Sequence, residues 1–500
     1  MTGRPVVVFD NGAHTIKCGL SNSDEEPKFI PNTVIRLKGE KNKQFIGPEF
    51  DESLDYSIVH YRLPFERGYL TDWDVEKAVW DRTFFGKNGF KIDPHDHSFL
   101  VTEPNFNMHS IQETYDQMVF EEWEFSSYYR CPSAALVSSS DIFTPPDQPQ
   151  PECAVVVDSG FSFTHVTPVL QHISSPGLSQ LGNEILPGSI QWPSVRRLNI
   201  GGKLLTNHLK ELVSFRHWDM TESTHIINQI KEACCFVSTN FSRDLEICRS
   251  NLNSNSISQS YVLPSFATEP PRPGYIRTST SPALEESDTI LPMNNERFVV
   301  PEVLFHPSDI GLAQVGLPET IAHSIESLPA DMRGVAWANI GLVGGNCLFD
   351  GFEKRLYDEL VALAPSEHEV CLYRAKNPLT STFHAARTLA QSPVFPSLCV
   401  TREEYLERGT NACRRKFAPV NWFTRDIAED ELGRDSVAGR RDTGGSRREG
   451  REKRNERKGS LVGQTKNRRK KSRAEDPLQA AAPTTGPAPD APSMDVDPKP

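Results

Sequence analysis

Two stretches of this chain share one pattern, and that pattern narrows the fold more than anything else in it. Val6-Val7-Val8-Phe9-Asp10-Asn11-Gly12 and Ala154-Val155-Val156-Val157-Asp158-Ser159-Gly160 each run through an apolar strand to an Asp, with a Gly two residues later. A second strand-like run follows each, and Asp158 comes 148 positions after Asp10. Two such units imply a duplicated domain. At the turn after each Asp the backbone N–H groups are exposed and can take phosphate oxygens; Lys17 adds a cation, and an Asp can hold a hydrated divalent metal. One copy alone is weak evidence, because such a sequence after a strand is usually just a hairpin turn. Two facing copies form a nucleotide clamp.

A third signal lies at Leu342-Val343-Gly344-Gly345-Asn346-Cys347-Leu348-Phe349, a strand followed by paired glycines, with a helix opening near Gly351. Missing Cβ atoms let a flat base or ribose approach the backbone. A lone Gly-Gly would be an ordinary tight turn. Strand-like runs recur at Phe99-Leu100-Val101 and Ile340-Gly341-Leu342-Val343. Between them, Ile111, Tyr115, Met118, Val119 and Trp123 share one helical face, as do Phe352, Leu356, Leu360 and Leu363. Strands alternating with helices predict an α/β architecture.

A globular body is expected over residues 1–425, with two surface insertions: a Pro-rich one at 143–151 and a Ser/Pro/Asn-rich one at 250–292. Residues 426–500 read as a disordered tail, first basic and then Pro/Ala-rich, with too little apolar surface to offset chain entropy. Charge marks the same division. The chain carries a net −12, yet residues 434–473 hold 16 Lys and Arg against 5 Asp and Glu, which leaves −23 on the rest. The ten cysteines form no Cys-x-x-Cys pair and no zinc spacing, so they read as reduced buried thiols. No apolar stretch is long enough to span a membrane, and the start of the chain lacks the pattern of a secretory leader.

The three glycine-bearing signals together resemble the superfamily of actins, sugar kinases and heat-shock ATPases. Further stretches resemble actins in particular: Arg67-Gly68-Tyr69-Leu70-Thr71-Asp72-Trp73-Asp74, Thr102-Glu103-Pro104-Asn105, Asn295-Glu296-Arg297-Phe298, and Thr401-Arg402-Glu403-Glu404-Tyr405. The resemblance covers residues 5 to 420. Within the actin-related proteins, Asp158-Ser159-Gly160-Phe161-Ser162-Phe163-Thr164-His165, the run from Asn199 to Glu211, and Asn377-Pro378-Leu379-Thr380 are similar to signatures of the sixth subfamily.

This resemblance implies a bilobed actin-like fold with duplicated mixed-sheet domains and a small outer subdomain over residues 31–65. It implies ATP with Mg or Ca. The nucleotide contacts it carries over are Asp10, Asn11, Gly12, Ala13, His14, Thr15 and Lys17 in the first hairpin, and Asp158, Ser159, Gly160, Phe161 and Ser162 in the second. Gly202, Lys231 and Glu232 follow, then Gly344, Gly345, Asn346 and Phe349. Asp10 and Asp158 would hold the metal through water. Lys231-Glu232 reads equally as a solvated helix charge pair. The chain departs from actin in several places. The glutamine with which actins position attacking water falls at Ser133, which cannot span that distance. Phe161 and Ser162 replace an acid and a glycine, Ala13 and His14 replace small residues, and Ala385-Ala386 replaces a glycine pair. Losing a positioning group removes several kcal/mol of barrier lowering. A weak or absent hydrolysis is therefore expected, and no catalytic residue is assigned.

The subfamily implies a nuclear subunit, with some cytoplasmic protein, of an ATP-dependent remodeller that exchanges a core histone for its Z-type variant. Its partners would be the motor and other remodeller subunits, with histones or nucleosomes reached indirectly and no membrane. An active ATPase or kinase, or a cytoskeletal filament protein, are the alternatives; the short charged segment from Arg36 to Gly47 argues against filaments. In the tail, Lys466, Arg468, Arg469, Lys470, Lys471 and Arg473 form a cluster that reads as an import signal, a non-specific DNA contact or merely solvated charge.

Overall fold

A computed structural model describes residues 4–37, 44–52, 59–143, 150–171, 186–249, 255–266 and 271–422. Contacts divide the chain into Met1–Arg434 and Asp435–Pro500. The second unit, the import cluster within it, and residues 38–43 of the short charged segment lie outside the described residues.

The first unit carries two large sheets built alike. In the first, the strand Val6–Asn11 pairs antiparallel with Thr15–Leu20, which pairs in turn with Lys28–Pro31. On its other side Val6–Asn11 runs parallel to Ser98–Glu103, and that strand parallel to Ser127–Pro132. In the second, Cys153–Ser159 pairs antiparallel with Thr164–Leu170 and parallel with Ile340–Val343, which runs parallel to Leu372–Arg374. Each sheet is thus a hairpin extended on one side by two parallel strands, the duplication expected from the repeated motif. Both first strands sit centrally: Val7, Val8, Phe9, Val155, Val156 and Val157 are fully buried. Continuous apolar runs suit this position because both faces are covered.

Local rules place the helices. Asp72 caps Trp73–Phe85 by accepting from Val75 N at 3.3 Å, satisfying a donor that the first turn leaves free. Thr401 and Glu404 form a reciprocal capping box on Arg402–Arg408. The helix expected after Gly351 spans Phe352–Leu363, with Phe352, Leu356 and Leu360 buried. The helical face read from Ile111 to Trp123 is α over His109–Gln117 and widens to π over Met118–Glu122, still burying Ile111, Tyr115, Val119 and Trp123.

The small outer subdomain is a three-stranded antiparallel sheet of Gln44–Ile46, Val34–Leu37 and Val59–Arg62. The two insertions are not surface throughout. Residues 250–292 contribute to a second three-stranded sheet, Gln259–Val262 between Tyr275–Ile276 and Ile290–Met293, with Tyr261, Val262 and Leu291 buried. Phe143 is buried against Gly341, where a Cβ would lie 2.3 Å from its ring. Tyr261, Val262, Leu291 and Phe143 hold these pieces in the core despite their polar flanks.

Candidate functional site

The two hairpins bring their turns to one cavity of about 490 Å³, within the usual range for a ligand pocket. Of the residues expected to contact nucleotide, all line it except Ser159, which is buried behind it and shares hydrogen bonds with Thr164 Oγ1 (2.8 Å) and Asn346 Nδ2 (3.1 Å).

At the first turn the Gly12 amide closes the hairpin onto the Asp10 carbonyl at 3.0 Å. A Cβ at Gly12 would stand 2.6 Å from the Thr15 carbonyl oxygen, so the tight turn needs its glycine. The Asp10 carboxylate accepts from Thr102 Oγ1 at 3.0 Å and pairs with Lys17 Nζ at 3.6 Å. Thr102 also accepts from the Asn11 amide at 2.9 Å, so one hydroxyl fixes both backbone and carboxylate. At the second turn the Gly160 amide donates to the Phe163 carbonyl at 3.0 Å. The helix Gly202–Arg216 starts against this turn, its Gly202 and Lys203 amides donating to the Gly160 and Phe161 carbonyls at 3.0 and 2.9 Å. Among the described residues, the amides of Ala13, His14, Phe161 and Ser162 find no acceptor. Two turns therefore present uncommitted N–H donors to the same space, the arrangement that suits an anion.

Asp158 lies opposite Asp10. Burial first, and then the Asp10 charge, push its carboxyl up to about 6, against the opposing pull of Lys17 and a hydrogen bond from Ser133 Oγ at 3.3 Å. A cation between the two carboxylates would ease their repulsion. No cluster of three or more His, Cys, Asp or Glu occurs among the described residues, so a metal here would need water or ligand oxygens to complete its shell. Ser133 opens the short helix Ser133–Val137, and its hydroxyl is committed to Asp158.

Lys231 is not the solvated helix charge its sequence context allows. It is buried, and its ammonium donates to the Gly202 carbonyl (3.3 Å), Thr206 Oγ1 (3.0 Å) and Asn228 Oδ1 (2.9 Å). Burial lowers its pKa. Its three protons go to the protein, so it braces two helices at the cavity floor. Glu232 is exposed at the rim and accepts from Asn228 Nδ2 at 2.8 Å. Desolvation by the surrounding cleft, then Lys231 and Lys17, bring His14 down to about 4 and keep its imidazole neutral, although one side of the ring is open to solvent.

The paired glycines form another wall. Gly344 has φ +92°, and a Cβ there would meet the Ser159 carbonyl oxygen at 2.4 Å. Asn346 Nδ2 donates to the Gly160 carbonyl at 2.9 Å, tying this wall to the second hairpin. The Gly344 amide donates to the Pro378 carbonyl at 3.0 Å. Pro378, Leu379 and Thr102 line the cavity but were read from sequence only as family markers; their presence in short motifs beside strand ends was the available signal. Phe163, at the end of the run Gly160 to Phe163 that the resemblance carries over, also lines it, as do Gly68 and His165 from the family-like stretches; Phe65 lines it with nothing local to announce it. Free amides at both turns, facing carboxylates, a cation on Lys17 and a glycine wall of this size fit a nucleotide phosphate chain with a hydrated divalent metal.

A family model described as Actin matches residues 1–418. Actin-like protein ARP6 of Cryptococcus neoformans is 44% identical over 435 residues, spanning 83% of this chain and 85% of its own. Actin-related protein 6 of Drosophila melanogaster is 38% identical, spanning 81% and 97%. Its namesake from Oryza sativa is 33% identical, spanning 83% and 99%.

Proposed function

This chain belongs to the actin family, and on that premise we propose that it serves as a non-catalytic subunit of an ATP-dependent chromatin remodeller, one that exchanges a core histone for its Z-type variant and so regulates transcription. The observation that supports a non-catalytic role is the fate of Ser133. It stands where actins place the water-positioning glutamine, its side chain is short, and its hydroxyl is bound to Asp158. Without a group to orient water the site can hold a nucleotide yet lacks the means to hydrolyse it.

In this reading the uncommitted amides of Ala13, His14, Phe161 and Ser162 face the phosphates, with Lys17 as counter-charge. Asp10 and Asp158 take the hydrated Mg or Ca, and Gly202, Glu232 and the wall from Gly344 to Phe349 receive ribose and base. A bound metal–ATP supplies negative charge and divalent cation that neutralise these opposed groups, a structural service to the fold. The protein works in the nucleus, with some in the cytoplasm, among the motor and other remodeller subunits, and reaches histones through them. It does not form filaments.

Affinity purification of the native chain tests the assembly role: a large complex containing a motor ATPase and histones is expected, and recovery of cytoskeletal proteins alone would overturn it. For the nucleotide, denaturing the purified chain should release ATP. Turnover should lie far below the roughly 1 s⁻¹ at the low end of working enzymes. Release of ADP alone, or steady turnover, would refute the non-catalytic assignment.

A further inference from the structure

The mouth of the cleft is crossed by side chains that touch one another directly. The His14 imidazole, at the first hairpin's turn, stacks on the Phe161 ring at the second's, with centroids 4.7 Å apart and planes 24° apart. Phe163 reaches over to Gly68, in the turn between the short strands Phe65–Glu66 and Tyr69–Leu70. A Cβ at Gly68 would lie 2.6 Å from the Phe163 ring, and Gly68 has φ +77°, so both backbone and space require glycine there. Arg197 completes the row: its guanidinium lies 4.6 Å from the Phe163 centroid, and Nη1 donates to Tyr69 Oη at 3.2 Å. Phe161, Phe163 and Arg197 come from the second sheet and the turn it carries. His14 comes from the first sheet, and Gly68 and Tyr69 from the strand pair beside it.

We propose that this row is a latch: the cleft is held shut by His14–Phe161, Gly68–Phe163 and Tyr69–Arg197, so that closure is built into the chain and does not wait for a ligand to bridge the hairpins. Stacked rings and a cation over an aromatic face favour this geometry. A neutral His14 suits the stack, since its ring brings no charge into a site already holding Lys17 and Lys231. A nucleotide in the cavity would then be a captive, exchanging only when the His14–Phe161 stack parts. This deepens the regulation of the proposed nucleotide site; the latch itself stands without that reading, and the captive ligand rests on it.

Hydrogen exchange on the full chain stripped of nucleotide tests the latch, with Phe161→Ala and His14→Ala approaching it from opposite sides. In the wild type, the hydrogen-bonded amides of Gly12, Thr71, Asp72 and Gly160 should exchange slowly. In either variant they should exchange about tenfold faster, because local opening then meets less resistance. The central strand Ser98–Glu103 should keep its protection in all three proteins, which shows the fold intact. Adding Mg-ATP should slow exchange in the variants and change the wild type by less than about twofold. A stripped wild type that exchanges as fast as the variants, or that gains as much protection from Mg-ATP as they do, overturns the latch. Variants that loosen but ignore Mg-ATP support the latch and overturn the nucleotide reading instead.

Discussion

Arg130 sits in the strand Ser127–Pro132 with a side chain only 1% exposed, and its guanidinium is spread over three partners. Nη1 donates to Glu103 Oε2 at 2.6 Å, Nη2 to Asp116 Oδ1 at 3.3 Å, and Nε to Tyr128 Oη at 3.1 Å. Replacing Arg130 with Met keeps an apolar stem and leaves two buried carboxylates without their cation. Glu103 retains donors in Asn107 Nδ2 at 2.7 Å and Gln112 Nε2 at 3.1 Å, so the loss falls harder on Asp116. Breaking a buried pair in this way costs about 3–5 kcal/mol. The cost depends on pH. Burial already raises Asp116 to about 7 despite the opposing pull of Arg130. A carboxyl raised on folding holds a proton that the unfolded chain has released, so stability falls as pH climbs from its unfolded pKa to its folded one. Without Arg130 that window extends higher. Arg130→Met should therefore cost most at pH 8 and markedly less at pH 5.5. Thermal melts at the two pH values should show a drop of about 5 °C or more at pH 8. Adding Glu103→Gln to Arg130→Met should recover part of it. A cost below about 1 kcal/mol at pH 8, or one that does not shrink at pH 5.5, would refute the assignment of a buried charge network.

Glu76 offers a second titration. It is fully buried, raised to about 7 by desolvation against the opposing pull of Asn11, Asn32 and Trp80, and accepts from Asn11 Nδ2 at 2.6 Å through Oε1. Because its folded pKa lies above its unfolded one, its ionisation weakens the wild type as pH rises from about 4.5 to 7, by up to about 3 kcal/mol. Glu76→Gln should thus be more stable than wild type at pH 8 but not at pH 5, and parallel stability profiles between those values would count against this. At the glycine wall, Gly344→Ala combines a positive φ with a backbone clash and should cost at least about 2 kcal/mol in denaturant melts. Gly345→Ala, whose Cβ would meet only Leu379 Cδ2 at 3.3 Å, should cost clearly less; equal losses would contradict the geometry. Deleting residues 426–500 should leave the melting curve unchanged and shift the protein to the cytoplasm if Lys466 to Arg473 directs import, whereas undiminished nuclear accumulation would exclude that role. In pelleting assays under salt and magnesium that polymerise actin, the isolated chain should stay in the supernatant, and sedimenting filaments would end the non-filament reading.

What could be read in the sequence followed from short-range chemistry. An apolar run ending in Asp-x-Gly marks a strand and its turn from neighbouring residues alone, so both hairpins were legible, and with them the duplication. Gly344 was legible because only glycine tolerates its backbone angle. The helix from Phe352 to Leu363 was legible because its buried residues repeat at the helical period. Residues that depend on a distant partner were hidden. Lys231 sits in a polar stretch of helix, and only the packing of Gly202–Arg216 against it reveals that its charge is enclosed. Phe161 and His14 read as departures that leave the phosphate-facing backbone possible and weaken the catalytic part; their contact is set by the approach of two sheets and has no local trace. The buried strands at Tyr261 and Leu291 were masked by Ser- and Pro-rich neighbours that dominate any local average. The π turn at Met118–Glu122 adds one residue without disturbing the apolar face, so periodicity could not report it.

The described chain ends at Trp422, whose indole is held between Phe106 and Trp192, with centroids 5.0 and 5.4 Å away. Phe106 follows the first sheet's strand Ser98–Glu103, and Trp192 follows the second sheet's edge strand Ser189–Ile190. In mechanical terms this is a cleat. A pull on residues beyond 422 does not load the helix Thr410–Phe417 alone; it divides between rings rooted in both sheets. Tension carried by the basic segment would therefore press on a shared anchor instead of peeling a terminal helix from one side.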